Sequence, residues 1–136
     1  RTVVIGPDPR LTGKSVVGIL DSLDVRWALL VGDRLGGELA WELAATRLDR
    51  FIGLVAVDRG HPRVADPAGV IRDEHCPPVE LNTTILVSTK AARAMAVASQ
   101  RFVYGEYRIV DLLGRRNAAD STAQLATEIV MRTSTW

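Results

Sequence analysis

Cys76 is the only cysteine in the chain. A single thiol cannot close an internal disulfide, so a cysteine-stapled scaffold is excluded. Lysine is nearly missing as well. Of 17 basic residues only Lys14 and Lys90 are lysine, a bias expected of a GC-rich bacterial genome. Charge of one sign is not in excess: the net charge is +1, which leaves no electrostatic footprint for nucleic acid. No apolar run is longer than a strand, so no membrane span is expected. No signal-peptide pattern is visible, and the chain is expected in the cytoplasm. Internal repeats and low-complexity tracts are also lacking. What remains is ordinary: 136 residues, 47% hydrophobic and 24% charged. That describes one domain, able to bury roughly two-thirds of its unfolded surface.

Residues 27–58 organise the rest. An apolar run of strand length, Trp27-Ala28-Leu29-Leu30-Val31, meets a sharp turn, Gly32-Asp33-Arg34-Leu35-Gly36-Gly37. Leu39, Ala40, Leu43 and Ala44 then recur at helical spacing, and residues 51–57 form a second apolar run. Strand, glycine-rich turn, amphipathic helix and strand make a βαβ crossover with neighbouring parallel strands. Residues 2–5 read as a short β-branched strand ending at Gly6-Pro7. Ser15 is placed to cap a helix with the stripe Val16, Ile19, Leu20 and Leu23. Further strands are expected at 83–88 and 108–113, with an alanine-rich helix at 91–99 between them. A capping box, Ser121 with Gln124, opens a last helix ending near Arg132. Residues 59–82 hold four prolines, both histidines and the cysteine. They read as a long, functional or mobile loop of lid-like placement within the single domain.

Several short constellations reduce to bland readings. Gly13-Lys14-Ser15 after a strand suggests a phosphate-binding loop, but that motif wants four residues between its glycines. Gly6 and Gly13 have six between them, and Asp8 would repel phosphate. His75-Cys76 are adjacent, a spacing that rarely aims two side chains at each other. His61, Asp73, His75 and Cys76 match no metal-ligand spacing. No metal and no cofactor are expected.

The turn is the informative part. Gly-x-Ser-x-Gly on a strand-to-helix elbow is the nucleophile site of α/β-hydrolases, and Gly32-Asp33-Arg34-Leu35-Gly36 resembles that frame. Upstream, Asp8, Arg10, Gly13 and Ser15 resemble the family's Asp-x-Arg-Gly-x-Gly-x-Ser loop, with Leu11 in place of its first glycine. The resemblance implies an α/β fold: a mostly parallel sheet of about five strands with helices on both faces. It also implies that the family's first three strands have no counterpart here. The nucleophile position is Arg34, whose guanidinium stays protonated and cannot attack a carbonyl. The positions matching the acid hold Thr89 and Lys90, and those matching the histidine hold Arg115, Arg116 and Asn117. Asp33 is one step out of register for the aspartate nucleophile of some relatives, and reads as an acid at a helix N-terminus.

The sequence therefore predicts a degenerate, truncated α/β-hydrolase-like protein: a non-catalytic binding or structural member. The alternative is a hydrolase or lyase of small ester-like substrates with atypical catalytic residues. Arg34, Arg115, Arg116 and Asn117 are the candidates for binding a small anionic or acyl ligand at the carboxyl ends of the strands. The uncovered edge of residues 2–5 predicts a homodimer, or pairing with a missing N-terminal segment.

Overall fold

The computed structural model describes residue 5, residues 11–33 and residues 35–112. Helix α1 spans Gly13–Ser22 and is capped by Thr12, which is extended and whose side-chain oxygen accepts from the Ser15 N–H at 3.2 Å. The cap thus lies three residues ahead of the expected Ser15, which is already helical. Its buried face shifts accordingly to Val16, Val17 and Leu20, and Leu23 lies outside the helix, 37% exposed. Removing the cap in Thr12→Ala orphans an N–H of the first turn. A loss of about 1 kcal/mol is expected in urea unfolding, with the slope of the transition unchanged.

Strand β1 is Ala28–Asp33, and helix α2 follows at Leu35–Thr46. Strand β2 is Phe51–Val57 and strand β3 is Asn82–Val87. Helix α3 spans Lys90–Ser99, a short 3-10 turn covers Gln100–Phe102, and strand β4 is Tyr107–Asp111. These elements sit within one or two residues of the sequence pattern. Trp27 is left outside β1 and is 63% exposed, because the pairing of β1 with β2 starts at Ala28 opposite Phe51.

The four strands lie in chain order, β1-β2-β3-β4, and every pairing is parallel. The fifth strand expected at residues 2–5 lies outside the described residues, apart from Ile5, which packs against the cluster of Val16, Leu20 and Phe51. The helix expected from Ser121 to Arg132 also lies outside them.

Why the strands read as near-continuous apolar runs is clear from their burial. In β2 every residue but Ile52 is buried, as a strand covered on both faces requires. One face carries Leu54, Ala56, Ile85 and Val87, packed with Trp41 and Ala44 of α2 and Met95 and Ala96 of α3. Helix α1 packs alongside, its Val16, Val17 and Leu20 meeting Leu43 of α2 and Phe51. The opposite face gathers Val55, Val57 and Leu86 with Leu112. Among the described residues the helices lie on the first face only.

Of the loop expected at 59–82, Asn82 already belongs to β3, and residues 59–81 contain no helix or strand, only an isolated bridge between Val79 and Val103. The two ends of the loop are built into the core: His61, Cys76 and Val79 are all buried. Its middle is a surface excursion. There the Asp66 carboxylate accepts from the Ala68 and Val70 N–H groups, and Gly69 takes a φ of 83°.

Candidate functional site at the carboxyl edge of the sheet

Open parallel sheets bind ligands beyond the carboxyl ends of their strands. Four chain segments leave this sheet there, after Asp33, Val57, Val87 and Asp111. The first is the elbow. Strand β1 ends at Asp33 and α2 begins at Leu35, so a single residue, Arg34, joins them in sequence. Gly32 is buried beneath this junction. A Cβ built on it would stand 2.3 Å from the Gly36 carbonyl oxygen and 2.7 Å from the Gly37 nitrogen. Gly37 is also close-packed, its Cβ position lying 3.1 Å from Cγ of Arg59. Gly36 has nothing within 4 Å. Gly32 is therefore required sterically, Gly37 sits tightly against the Arg59 side chain, and Gly36 has room for a side chain. Asp33 is exposed at the strand end, ahead of the helix.

The candidate residues Arg34, Arg115, Arg116 and Asn117 all lie outside the described residues. Of the upstream loop, Gly13 and Ser15 stand in the first turn of α1. The hydrogen of Gly13 in place of a methyl lets α1 approach Leu43, whose Cδ2 would be 3.1 Å from a Cβ there.

The second exit carries groups that the sequence reading passed over. Asp58 follows β2 with a φ of 55°, a left-handed conformation unusual for a residue with a Cβ. Its carboxylate is clasped by Ser88 at the third exit. The Ser88 N–H donates to Oδ1 at 2.7 Å and the Ser88 hydroxyl donates to Oδ2 at 2.5 Å. Next to Ser88, Thr89 caps α3 by accepting from the Ala92 N–H at 3.0 Å. The position matched to the family's acid is thus occupied by a capping hydroxyl and then by Lys90, the first residue of the helix.

Glu38, in the first turn of α2, gathers the loop onto the elbow. Its Oε1 lies 3.3 Å from Nε of Arg59 and 3.0 Å from a terminal nitrogen of Arg72. Arg59 also donates to the Asp58 carbonyl oxygen at 2.9 Å, and the Arg59 carbonyl accepts from Nε1 of Trp41 at 3.0 Å. Two guanidiniums thus share one carboxylate oxygen.

The histidine–cysteine neighbours point apart. His75 is exposed beside Glu74, and Cys76 is buried, with burial pushing its thiol up to about 11. A thiol held protonated in this way is a poor nucleophile. His61, by contrast, is fixed deep in the loop base, stacked on Phe102 at 4.8 Å and edge-on to Trp41. No sequence signal marked it, since a lone histidine in a proline-rich loop has no periodicity to betray its burial. Among the described residues no group of histidine, cysteine and carboxylate side chains could hold a metal ion. No described helix is long and apolar enough to cross a membrane.

No protein-family model matches the sequence, and no curated protein matches it significantly. Solved structures do. NosK from Streptomyces actuosus superposes with a TM-score of 0.63 at 17% identity, covering 90% of this chain and 75% of that one. Alpha/beta hydrolase domain-containing protein 10 from mouse gives 0.67 at 16% identity, with 93% and 72% covered. A hydrolase from Pseudomonas aeruginosa gives 0.61 at 18% identity, with 90% and 74% covered. At such identities the likeness is one of fold.

Proposed function

The chain is built on the α/β-hydrolase fold, and from that premise we propose that it is a non-catalytic member, a protein that binds a small anionic or acyl ligand at the carboxyl edge of its sheet. The elbow carries this reading. Gly32 and Gly37 keep the close strand-to-helix approach that the nucleophile turn demands, while the residue between Asp33 and Leu35 is an arginine. Acyl transfer by a serine needs a base to take its proton and an acid to hold that base. Thr89 is engaged as a helix cap, and Arg115, Arg116 and Asn117 follow the last strand in sequence. Arginines at these positions suit carboxylate or phosphate, which a guanidinium fork can grip with two parallel hydrogen bonds.

The test has two arms. Thermal-shift screening against acyl carboxylates and phosphate esters is expected to show stabilisation that Arg34→Ala reduces; equal shifts in wild type and variant would remove the ligand assignment. A fluorogenic ester panel is expected to show no turnover above background. Turnover abolished by a change within residues 32–37 would overturn the non-catalytic reading. The rival, an ester hydrolase or lyase with displaced catalytic groups, is favoured by one observation. Asp58 holds a left-handed backbone at a strand end, and such outliers cluster at functional sites. Turnover that survives Arg34→Ala and is lost in Asp58→Asn would support that rival.

A further inference from the structure

On the face of the sheet opposite the helices, Val55, Thr84 and Leu86 are each 0% exposed, and Val57 and Leu112 are buried with them. Thr84 belongs to this face because it stands two residues before Leu86 in β3. Every described helix lies on the other side, and so do Cys76 and Val79 of the loop base. The Thr84 hydroxyl is buried and has no hydrogen-bond partner among the described residues, as expected beneath a cover without polar groups. That cover has an edge. Val31, which shares the face with Leu29, is 43% exposed. Burial is complete over β2 and β3 and fails over β1, a width of about 10 Å, which is that of one helix.

Few stretches of the chain can supply such a cover. Residues 6–10 are held at both ends, by Ile5 and Leu11, in the cluster around α1. Residues 1–4 make barely one helical turn. Residues 113–136 leave the sheet on the side that needs covering: Leu112 is itself part of the opposite-face cluster, and its N–H donates to the Val87 carbonyl at 2.8 Å. Within them, the capping box of Ser121 and Gln124 opens the expected helix, in which Leu125, Ala126, Ile129 and Val130 recur at i, i+1, i+4 and i+5. These four side chains carry no polar atom, which suits the orphaned Thr84 hydroxyl. The stretch 121–132 extends about 18 Å as a helix, close to the length of about 20 Å of β3 with its 6 residues.

We propose that residues 121–132 dock as a helix along the opposite face, with Leu125, Ala126, Ile129 and Val130 seated over Val55, Thr84 and Leu86. The sheet is then covered on both sides over β2 and β3, as strands this apolar require. The exposed Val31 marks the limit of the docked helix. Residues 113–120 become a connection tied at both ends, from the end of β4 to the opposite face, which holds Arg115, Arg116 and Asn117 beside the carboxyl edge. The docking does not rest on what that edge binds and is tested without any ligand, so its failure is distinct from failure of the ligand-binding reading.

A thiol placed beneath the docked helix reports its cover. Thr84→Cys is close to isosteric and adds one thiol on the opposite face, while Cys76, buried in the first-face cluster, is the internal reference. Alkylation with iodoacetamide, followed peptide by peptide by mass spectrometry, separates the two. In Thr84→Cys alone, both thiols are expected to be protected. Adding Ile129→Lys, which sets a charge in the apolar stripe, should speed labelling at position 84 at least about tenfold with Cys76 unchanged, as a local opening requires. Adding Thr127→Lys, off the stripe, should change neither. Ready labelling at position 84 in Thr84→Cys alone, an unchanged rate there with Ile129→Lys, or an equal rise with Thr127→Lys would each overturn the docking. Should Ile129→Lys unfold the protein, so that Cys76 labels in step, Ile129→Ala takes its place with a smaller rise expected at position 84; no rise there, or a joint rise with Cys76, would overturn the docking.

Discussion

Gly32→Ala is expected to destabilise the protein by at least about 3 kcal/mol, whereas Gly36→Ala, four residues on, should be neutral or stabilising by up to ~1 kcal/mol. The contrast follows from what each new methyl would meet. At Gly32 it would lie 2.3 Å from one backbone atom and 2.6 Å from the next, both in the first turn of α2. No side chain can rotate away to relieve that, so the helix must lift off the strand it packs against. At Gly36 the methyl enters open space within a helix, where alanine is favoured over glycine. Urea unfolding followed by far-UV circular dichroism measures both. Similar losses at the two positions would show that the elbow is not the close approach described.

Trp41→Ala is the second large effect, with an expected loss of about 3–5 kcal/mol. Trp41 is 0% exposed and the largest of the fully buried side chains. It fills the space between α2, the sheet and the loop base, meets His61 edge-on, and donates to the Arg59 carbonyl. Truncation leaves a cavity and orphans that carbonyl together. Trp41→Phe should cost less, keeping most of the volume while losing the hydrogen bond, worth about 1 kcal/mol net. Trp27→Ala, at a residue 63% exposed, is the internal control and should stay within about 0.5 kcal/mol. Against a total stability of roughly 5–15 kcal/mol for a domain, Trp41→Ala leaves little margin. A loss below about 1 kcal/mol would mean that the loop base does not rest on this ring.

How far the sequence foretold this structure depends on which physical signal each region carries. The strands were legible because β2, buried on both faces, contains only apolar residues and glycine, and β3 joins two β-branched threonines to an apolar Ile85-Leu86-Val87 run. The elbow was legible because close backbone approach leaves glycine as its trace in the sequence. The cap of α1 was misplaced by three residues because Thr12 and Ser15 are both capping types, and only backbone geometry decides between them. The base of the loop was opaque. His61, Cys76 and Val79 are buried by contacts with α2 and with residues 99–103, far away in sequence, and nothing local encodes such a fit. The Asp58–Ser88 clasp was hidden for the same reason, joining residues thirty positions apart. Of the candidate binding residues, charge and chemistry were readable while their placement was not, and Arg34, Arg115, Arg116 and Asn117 fall outside the described residues.

The plain order of the strands, each pairing with its successor, has a bearing on how the chain comes off the ribosome. In the described sheet no strand waits for a partner that is synthesised later than the next one in line. β1 offers an edge to β2, β2 to β3, and β3 to β4, always in the direction of synthesis. Growth can therefore be vectorial, each new strand closing the edge left open by its predecessor, with α2 covering the fresh surface between β1 and β2 and α3 that between β3 and β4. The long pause in this rhythm is the stretch from Asp58 to Leu81, during which the bare edge of β2 must stay protected. The loop base that buries His61, Cys76 and Val79 is the part of the chain that emerges in that interval.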